Sequence, residues 1–264
     1  MHVTSRDNSL LRQARAVRDG KVDELIFVEG LRLCVEALKS KLKIEAVVAS
    51  EELIRKEKAA EALAELSKAS SRVATVSEKL LESISYTKTP QGIVALAQRP
   101  EASEQRLAAS LTPKSLLVVL HQINNPVNVG AILRTAEAAG TGGIIATKNT
   151  SDPFSPKSLR GAMGSAFRLP IWRQADLNEV VDWCRQRQIS LVGTDADATL
   201  KHTDYDWTRA TALVLGPEST GLTTDELKAT DQAVSIPMQG EVESLNVSVA
   251  AGILLYEAAR QRSA

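Results

Sequence analysis

LLVVLHQINNPVNVGAILRTAEAAG, residues 116–140, contains the transition on which the reading of the fold turns. Leu116 to Leu120 are apolar without alternation, which suits a strand covered on both faces. Asn124, Asn125 and Pro126 then form a turn cluster, and apolar residues recur at helical spacing until Gly140. Asn128 can cap this helix, and Arg134 sits about two turns in. A helix starting where a strand ends is where a parallel sheet places ligands and anions. A well-capped helix with a solvent-facing arginine fits the spacing equally well.

Working outward, the same alternation continues. Strands are expected at 142–147, 189–194, 210–216 and 233–237. Helices are expected at Val129–Ala139, Pro156–Ala166 and Leu177–Arg187, with a long final one from Leu245 to Arg262. Such a series predicts an α/β domain with a mostly parallel sheet between helices. Upstream, helices at Ser9–Arg18 and Leu31–Lys39 and one ending near Ala69 alternate with strands at 24–28, 44–50, 72–77 and 92–98. These make a smaller α/β domain. RPEASEQRLAASLTP is polar and bracketed by prolines, so the expected division is domain 1–98, linker 99–113 and domain 114–264, with a short helix possible in the linker.

Composition narrows the function. Of 264 residues, 44% are hydrophobic and 24% charged, with formal net charge zero, which argues against non-specific coating of nucleic acid. Three each of Phe, Trp and Tyr are too few for a repeated base-stacking surface. Cys34 and Cys184 lie far apart in helix-like contexts, so reduced thiols are expected rather than a disulfide or a metal site. The first residues lack a signal-peptide core and no run of eighteen apolar residues occurs, which predicts a cytoplasmic protein with no membrane partner.

Two further segments carry candidate chemistry. In LVLGPESTGLT (213–223) a strand runs into two glycines: Gly216 permits close backbone approach to a ligand and Gly221 a tight turn, with Glu218 at the apex. An ordinary strand-to-helix turn would look the same. In IPMQGEVESLNVSVAAGILLYEAAR (236–260) a polar loop leads to a helix apolar over most of its circumference. Ser244 is a plausible cap, and Asn246 would project from the first turn. Such a helix fits a subunit interface or a core position.

Together the three segments resemble the motifs of the SpoU (TrmH-like) branch of the SPOUT methyltransferases: NPxNxGxxxRxAxxxG, LGxExxGL and IPMxGxxxSLNVSVAxxxxxYE, in that order over residues 114–264. The resemblance implies methylation of an RNA ribose 2′-hydroxyl with S-adenosylmethionine. Catalytic-site positions would be Asn128, Arg134, Glu218, Ser244 and Asn246; cofactor positions would be Thr194, Leu215, Gly216, Ile236, Met238 and Leu245. It further implies a C-terminal trefoil knot, which ordinary topology rules would not suggest, and a homodimer. The first ninety-odd residues, through SRDNSLLRQARAVRDGK and FVEGLRLCVEAL, resemble the ribosomal-protein-like α/β/α substrate-binding domain often fused to this family. On that likeness Arg6, Asn8 and Arg32 are RNA-contact candidates. Arg160 comes from a second basic stretch, 148–173, and either stretch could equally be a solvated face. SLRGAMGSAFRLPI departs from the family by having Gly161 and Ala162 where Ala-Ser is usual.

A ribose hydroxyl is a weak nucleophile, so positioning and help with its proton are needed. Arginine is a poor general base, and Arg134 is better suited to holding the target phosphate and easing hydroxyl ionisation; a deprotonated arginine in a desolvated site is the bolder version. Asn128 and Glu218 are expected to orient its guanidinium, with Ser244 and Asn246 binding substrate or bracing the site. The resemblance favours ribosomal RNA over transfer RNA, by analogy with branch members of this two-domain layout that act on ribosomal RNA. A catalytically inactive RNA-binding or ribosome-assembly factor is opposed by the intact motif residues. A dehydrogenase is opposed by HQINNPVN, which has no glycine fingerprint after the first strand.

Overall fold

The computed structural model describes residues 1–263, which form two compact units, 1–100 with 154–168 and 101–153 with 169 onward. The first runs through β1 (His2–Val3), α1 (Ser9–Arg18), β2 (Leu25–Glu29), α2 (Leu31–Lys39), β3 (Ile44–Ser50), α3 (Glu51–Ile54), α4 (Glu57–Ala69), β4 (Ser70–Val76), α5 (Glu78–Ile84) and β5 (Ile93–Gln98). The chain continues into the second unit with α6 (Glu104–Ala109), β6 (Leu116–Leu120), α7 (Pro126–Ala138) and β7 (Gly143–Thr147), then returns α8 (Pro156–Ala162) and α9 (Ser165–Arg168) to the first. The second unit is completed by β8 (Ile171–Ala175), α10 (Leu177–Gln186), β9 (Ser190–Thr194), β10 (Leu200–Lys201), β11 (Thr211–Leu215), α11 (Thr224–Ala229), β12 (Gln232–Ser235) and α12 (Val247–Arg262).

The first unit has a mixed five-stranded sheet in the order β1-β4-β3-β5-β2, with β5 antiparallel to both β2 and β3. Asn8 caps α1 by accepting from the Leu10 amide at 2.9 Å, and Leu10, Leu11, Ala14 and Val17 turn inward to meet Phe27, Val48 and Leu96. The buried Glu29 carboxylate is satisfied by the backbone amides of Tyr86 and Thr87 and, at 2.6 Å, by the Thr87 hydroxyl. The helix expected over Pro156–Ala166 is broken. Met163 and Gly164 take φ values of 50° and 98°, and α9 starts afresh, with Arg168 paired to Glu36 at 2.8 Å. A Cβ on Gly164 would lie 3.0 Å from that of Glu36, so the break lets the chain run close over α2.

The second unit is built on seven strands in the order β10-β12-β9-β11-β6-β7-β8, and every pairing is parallel. This is the α/β class expected from the apolar strands. Parallel pairing puts the C-terminal ends of β6, β9, β11 and β12 along one edge, and the loops that follow them converge there. Asn125, not Asn128, caps α7, accepting from the Val127 amide at 3.0 Å with Pro126 as first helical residue. Asn246, not Ser244, caps α12, accepting from the Ser248 amide at 3.0 Å. Among the described residues no helix is long and apolar enough to cross a membrane.

Residues 99–113, polar in sequence, hold α6, and Leu107 from it is completely buried with Leu117, Ile145 and Trp172. Truncating this side chain should leave a cavity in the core of the second unit. Leu107→Ala is expected to lower the unfolding free energy by about 2–4 kcal/mol in urea titrations, whereas a linker residue would change it negligibly.

Candidate active site

The loops after β9, β11 and β12, with the first turns of α12, enclose a pocket of about 350 Å³. Thr194, Leu215, Gly216, Ile236, Met238 and Leu245 all line it, joined by Glu218 and Ser244. The Thr194 hydroxyl is spent on the Val214 carbonyl at 3.1 Å, which holds β9 against β11. Gly216 admits a close approach, but the backbone that approaches is the protein's own. A Cβ there would lie 2.8 Å from the Leu222 amide nitrogen and 2.9 Å from the Gly221 carbonyl carbon. Gly221 takes φ 64° and donates to the Pro217 carbonyl at 2.9 Å, so the 216–222 loop is folded back on itself beneath the pocket.

A hydrogen-bond chain runs along one side. The Asn128 amide donates to Glu218 Oε1 at 2.6 Å, and its carbonyl oxygen accepts from Asn246 Nδ2 at 3.4 Å. Asn128 is 6% exposed, whereas Glu218 and Asn246 are exposed and reach it from the surface. Three of the five expected catalytic-site residues, Asn128, Glu218 and Asn246, are thus assembled, and a fourth, Ser244, is exposed at the pocket. Arg134 is not part of this chain. It is exposed on α7, and its side chain makes no hydrogen bond or ion pair among the described residues. The expected orientation of its guanidinium by Asn128 and Glu218 is replaced by a bond between those two side chains.

The acidic side chains Asp195 and Glu243 also line the pocket and were not singled out from sequence. Asp195 directly follows the strand-ending Thr194, and that adjacency is the one signal for it. With Glu218 they give three carboxylates and no lysine, arginine or histidine in the lining. His121 was also missed. It is buried directly after β6, within hydrogen-bond distance of Thr147 Oγ1 at 3.1 Å and Glu226 Oε1 at 2.8 Å. Glu226 also completes a capping box with Thr223, so His121 fastens the 121–125 loop to the helix that follows the 216–223 loop. Burial pushes the thiols of Cys34 and Cys184 up to about 12, which makes neither a nucleophile. Among the described residues no group of three His, Cys, Asp or Glu side chains could hold a metal ion.

The chain matches the SpoU rRNA Methylase family over residues 115–256. It belongs to that family. Residues 10–95 match the MRM3-like substrate binding domain. The 23S rRNA (uridine(2479)-2′-O)-methyltransferase of Streptomyces viridochromogenes is 36% identical over 196 residues, 72% of this chain and 68% of that protein. The 23S rRNA (guanosine-2′-O-)-methyltransferase RlmB of Coxiella burnetii is 38% identical over 178 residues, 66% and 71% of the two chains. Among solved structures, the SpoU methyltransferase AviRb from Streptomyces viridochromogenes in complex with AdoMet superposes with a TM-score of 0.86 at 30% identity, covering 97% of this chain and 98% of that one. The SPOUT architecture and the family's S-adenosylmethionine chemistry follow.

Burial pushes the Glu226 carboxyl up, but the Thr223 amide and the His121 side chain outweigh it and hold the carboxyl below the ordinary glutamate range. A depressed carboxyl stabilises the fold above its unfolded value near pH 4.3 and loses that contribution as pH falls through the folded value. The stability difference between the wild type and Glu226→Gln should therefore be full near neutral pH and shrink below about pH 4. Urea titrations across pH 3–7 measure it; a difference independent of pH would contradict the contact.

Proposed function

We propose that this SpoU-family chain transfers the methyl group of S-adenosylmethionine to the 2′-hydroxyl of a ribose in 23S ribosomal RNA. The observation that carries the reading is the pocket. Apolar walls from Leu215, Ile236, Met238 and Leu245 suit an adenosine, and three carboxylates without a cation suit a ligand of net positive charge. A dinucleotide with its phosphates would meet only like charge there. When bound, S-adenosylmethionine supplies a methyl group on a positively charged sulfur. Thr194, Leu215, Gly216, Ile236, Met238 and Leu245 would hold it.

Asn128 is fixed from both sides by Glu218 and Asn246, which leaves it a positioning residue whose amide cannot rotate without breaking two bonds. Ser244, exposed at the pocket, is free to meet substrate. Arg134 acts as a phosphate anchor. A deprotonated arginine needs a desolvated site, and the exposure of Arg134 supports the anchoring role instead. The first unit contributes RNA contacts. Arg6, Arg32 and Arg160 are exposed with side chains unpartnered among the described residues, whereas the Asn8 side-chain oxygen is already spent on capping α1. The enzyme would act in the cytoplasm.

A homodimer is part of the reading. On α12, Ala251, Leu254, Leu255 and Ala258 are buried, but Val249, Ile253 and Tyr256 are 51%, 37% and 57% exposed along one helical stripe. Three large apolar side chains at i, i+4 and i+7 favour a self-complementary contact. The same helix would close the trefoil knot; in support, Gln261 near its end accepts from the Trp207 amide and donates to the Tyr205 carbonyl.

Radiolabelled methyl transfer to bulk ribosomal RNA tests the reaction, and mapping 2′-O-methyl positions in RNA from a deletion strain identifies the nucleotide. Arg134→Ala should lower turnover by at least about 100-fold while leaving cofactor binding measurable by calorimetry; retained turnover would remove the anchoring role. Ile253→Glu combined with Tyr256→Glu should convert a dimer to a monomer in light scattering, and a wild type already monomeric would remove the dimer.

A further inference from the structure

A second cavity, of about 400 Å³, lies within the first unit and takes no part in the site described above. Its apolar side is made by Val3 and Leu80, and Arg6 and Lys79 stand at its rim with the Thr4 and Ser77 hydroxyls. The two cations have no side-chain partner among the described residues, and both are exposed. His2, which also borders the cavity, is already engaged with Glu51 at 2.9 Å. Arg6 is presented by a braced turn: its carbonyl accepts from Arg15 Nη2 at 2.8 Å, and the Asn8 amide donates to the Ser5 carbonyl at 3.2 Å.

Two uncompensated cations over a partly apolar hollow match a ligand that is anionic at one end and flat and apolar at the other. A phosphorylated nucleotide has that character. The guanidinium fork and the ammonium take phosphate oxygens, hydroxyls supply neutral hydrogen bonds, and the aliphatic side receives a base face. From these features we infer that the cavity binds one nucleotide of the RNA substrate, its phosphate between Arg6 and Lys79 and its base against Val3 and Leu80. The inference rests on the RNA-methylation reading. It adds a specific point where the backbone is gripped, made by β1, the turn after it and the start of α5, of which only Arg6 stood out in the sequence.

The test uses the full chain and a 23S ribosomal RNA transcript, with binding measured by filter retention at several salt concentrations and without cofactor. Arg6→Gln combined with Lys79→Gln should weaken binding by about 10-fold or more at low salt and reduce the slope of log affinity against log salt by about 2. The KM for RNA should rise in parallel, with kcat and the thermal shift on adding S-adenosylmethionine unchanged. Lys79→Gln alone should give about half the slope change, and the charge-conserving pair Arg6→Lys, Lys79→Arg should restore most of the affinity. A double variant that still shows the cofactor thermal shift but keeps wild-type RNA affinity and slope overturns the proposal. Pocket-dependent RNA binding by a wild type that transfers no methyl group would instead overturn the methylation reading and leave the cavity's role standing.

Discussion

The Asn128 side-chain amide is taken out of water in the first turn of α7, and its donor and acceptor must both be satisfied by protein. They are met by Glu218 and Asn246, 90 and 118 positions further along the chain. That requirement sets the geometry of the site. Three loops that would otherwise move independently must leave their strands at one edge of the sheet and approach within hydrogen-bond distance. The parallel pairing of β6, β11, β9 and β12 makes this possible by ending all four strands on the same side. His121 and Glu226 add a second fastening, so the segment from His121 to Asn128 is tied to the segment from Glu218 to Glu226 at both ends.

The sheet-forming segments of the second unit were legible because strands buried on both faces leave no alternation to misread. The β6 boundaries at Leu116 and Leu120 match the expectation to the residue. β8 was missed because IWRQA carries Arg173 and Gln174 and lies at the sheet's edge, where apolar residues are not needed on both faces. The cap positions were misplaced by two or three residues, Asn128 for Asn125 and Ser244 for Asn246, because several asparagines and serines adjoin each helix start. Composition cannot say which of them faces the free amides. The polar look of 99–113 hid Leu107, since one buried side chain every few residues suffices to dock a short helix.

At the site, type and spacing identified the residues that come together but not how they bond. Glu218 was expected to help orient the Arg134 guanidinium, yet it bonds to Asn128, a neutral partner on α7. Of the pocket acids, Glu243 carries no local sequence signal and Asp195 only its place directly after β9. What distinguishes them is the absence of any cation around them, a property of the assembled loops. Gly216 illustrates the same point: a glycine expected to make room for a ligand makes room for residues 221 and 222.

The position of β11 has a consequence for synthesis. It lies between β9 and β6, so it is the strand that joins β6-β7-β8 to β9-β12-β10. Until residues 211–215 leave the ribosome, a nascent chain holds one three-stranded fragment and a β9 with no neighbour, each with an exposed apolar edge. The second unit therefore cannot close progressively as it is made. Its assembly waits for the last fifth of the chain, and the joining contacts span nearly a hundred residues when they form, a topology that folds slowly for its size.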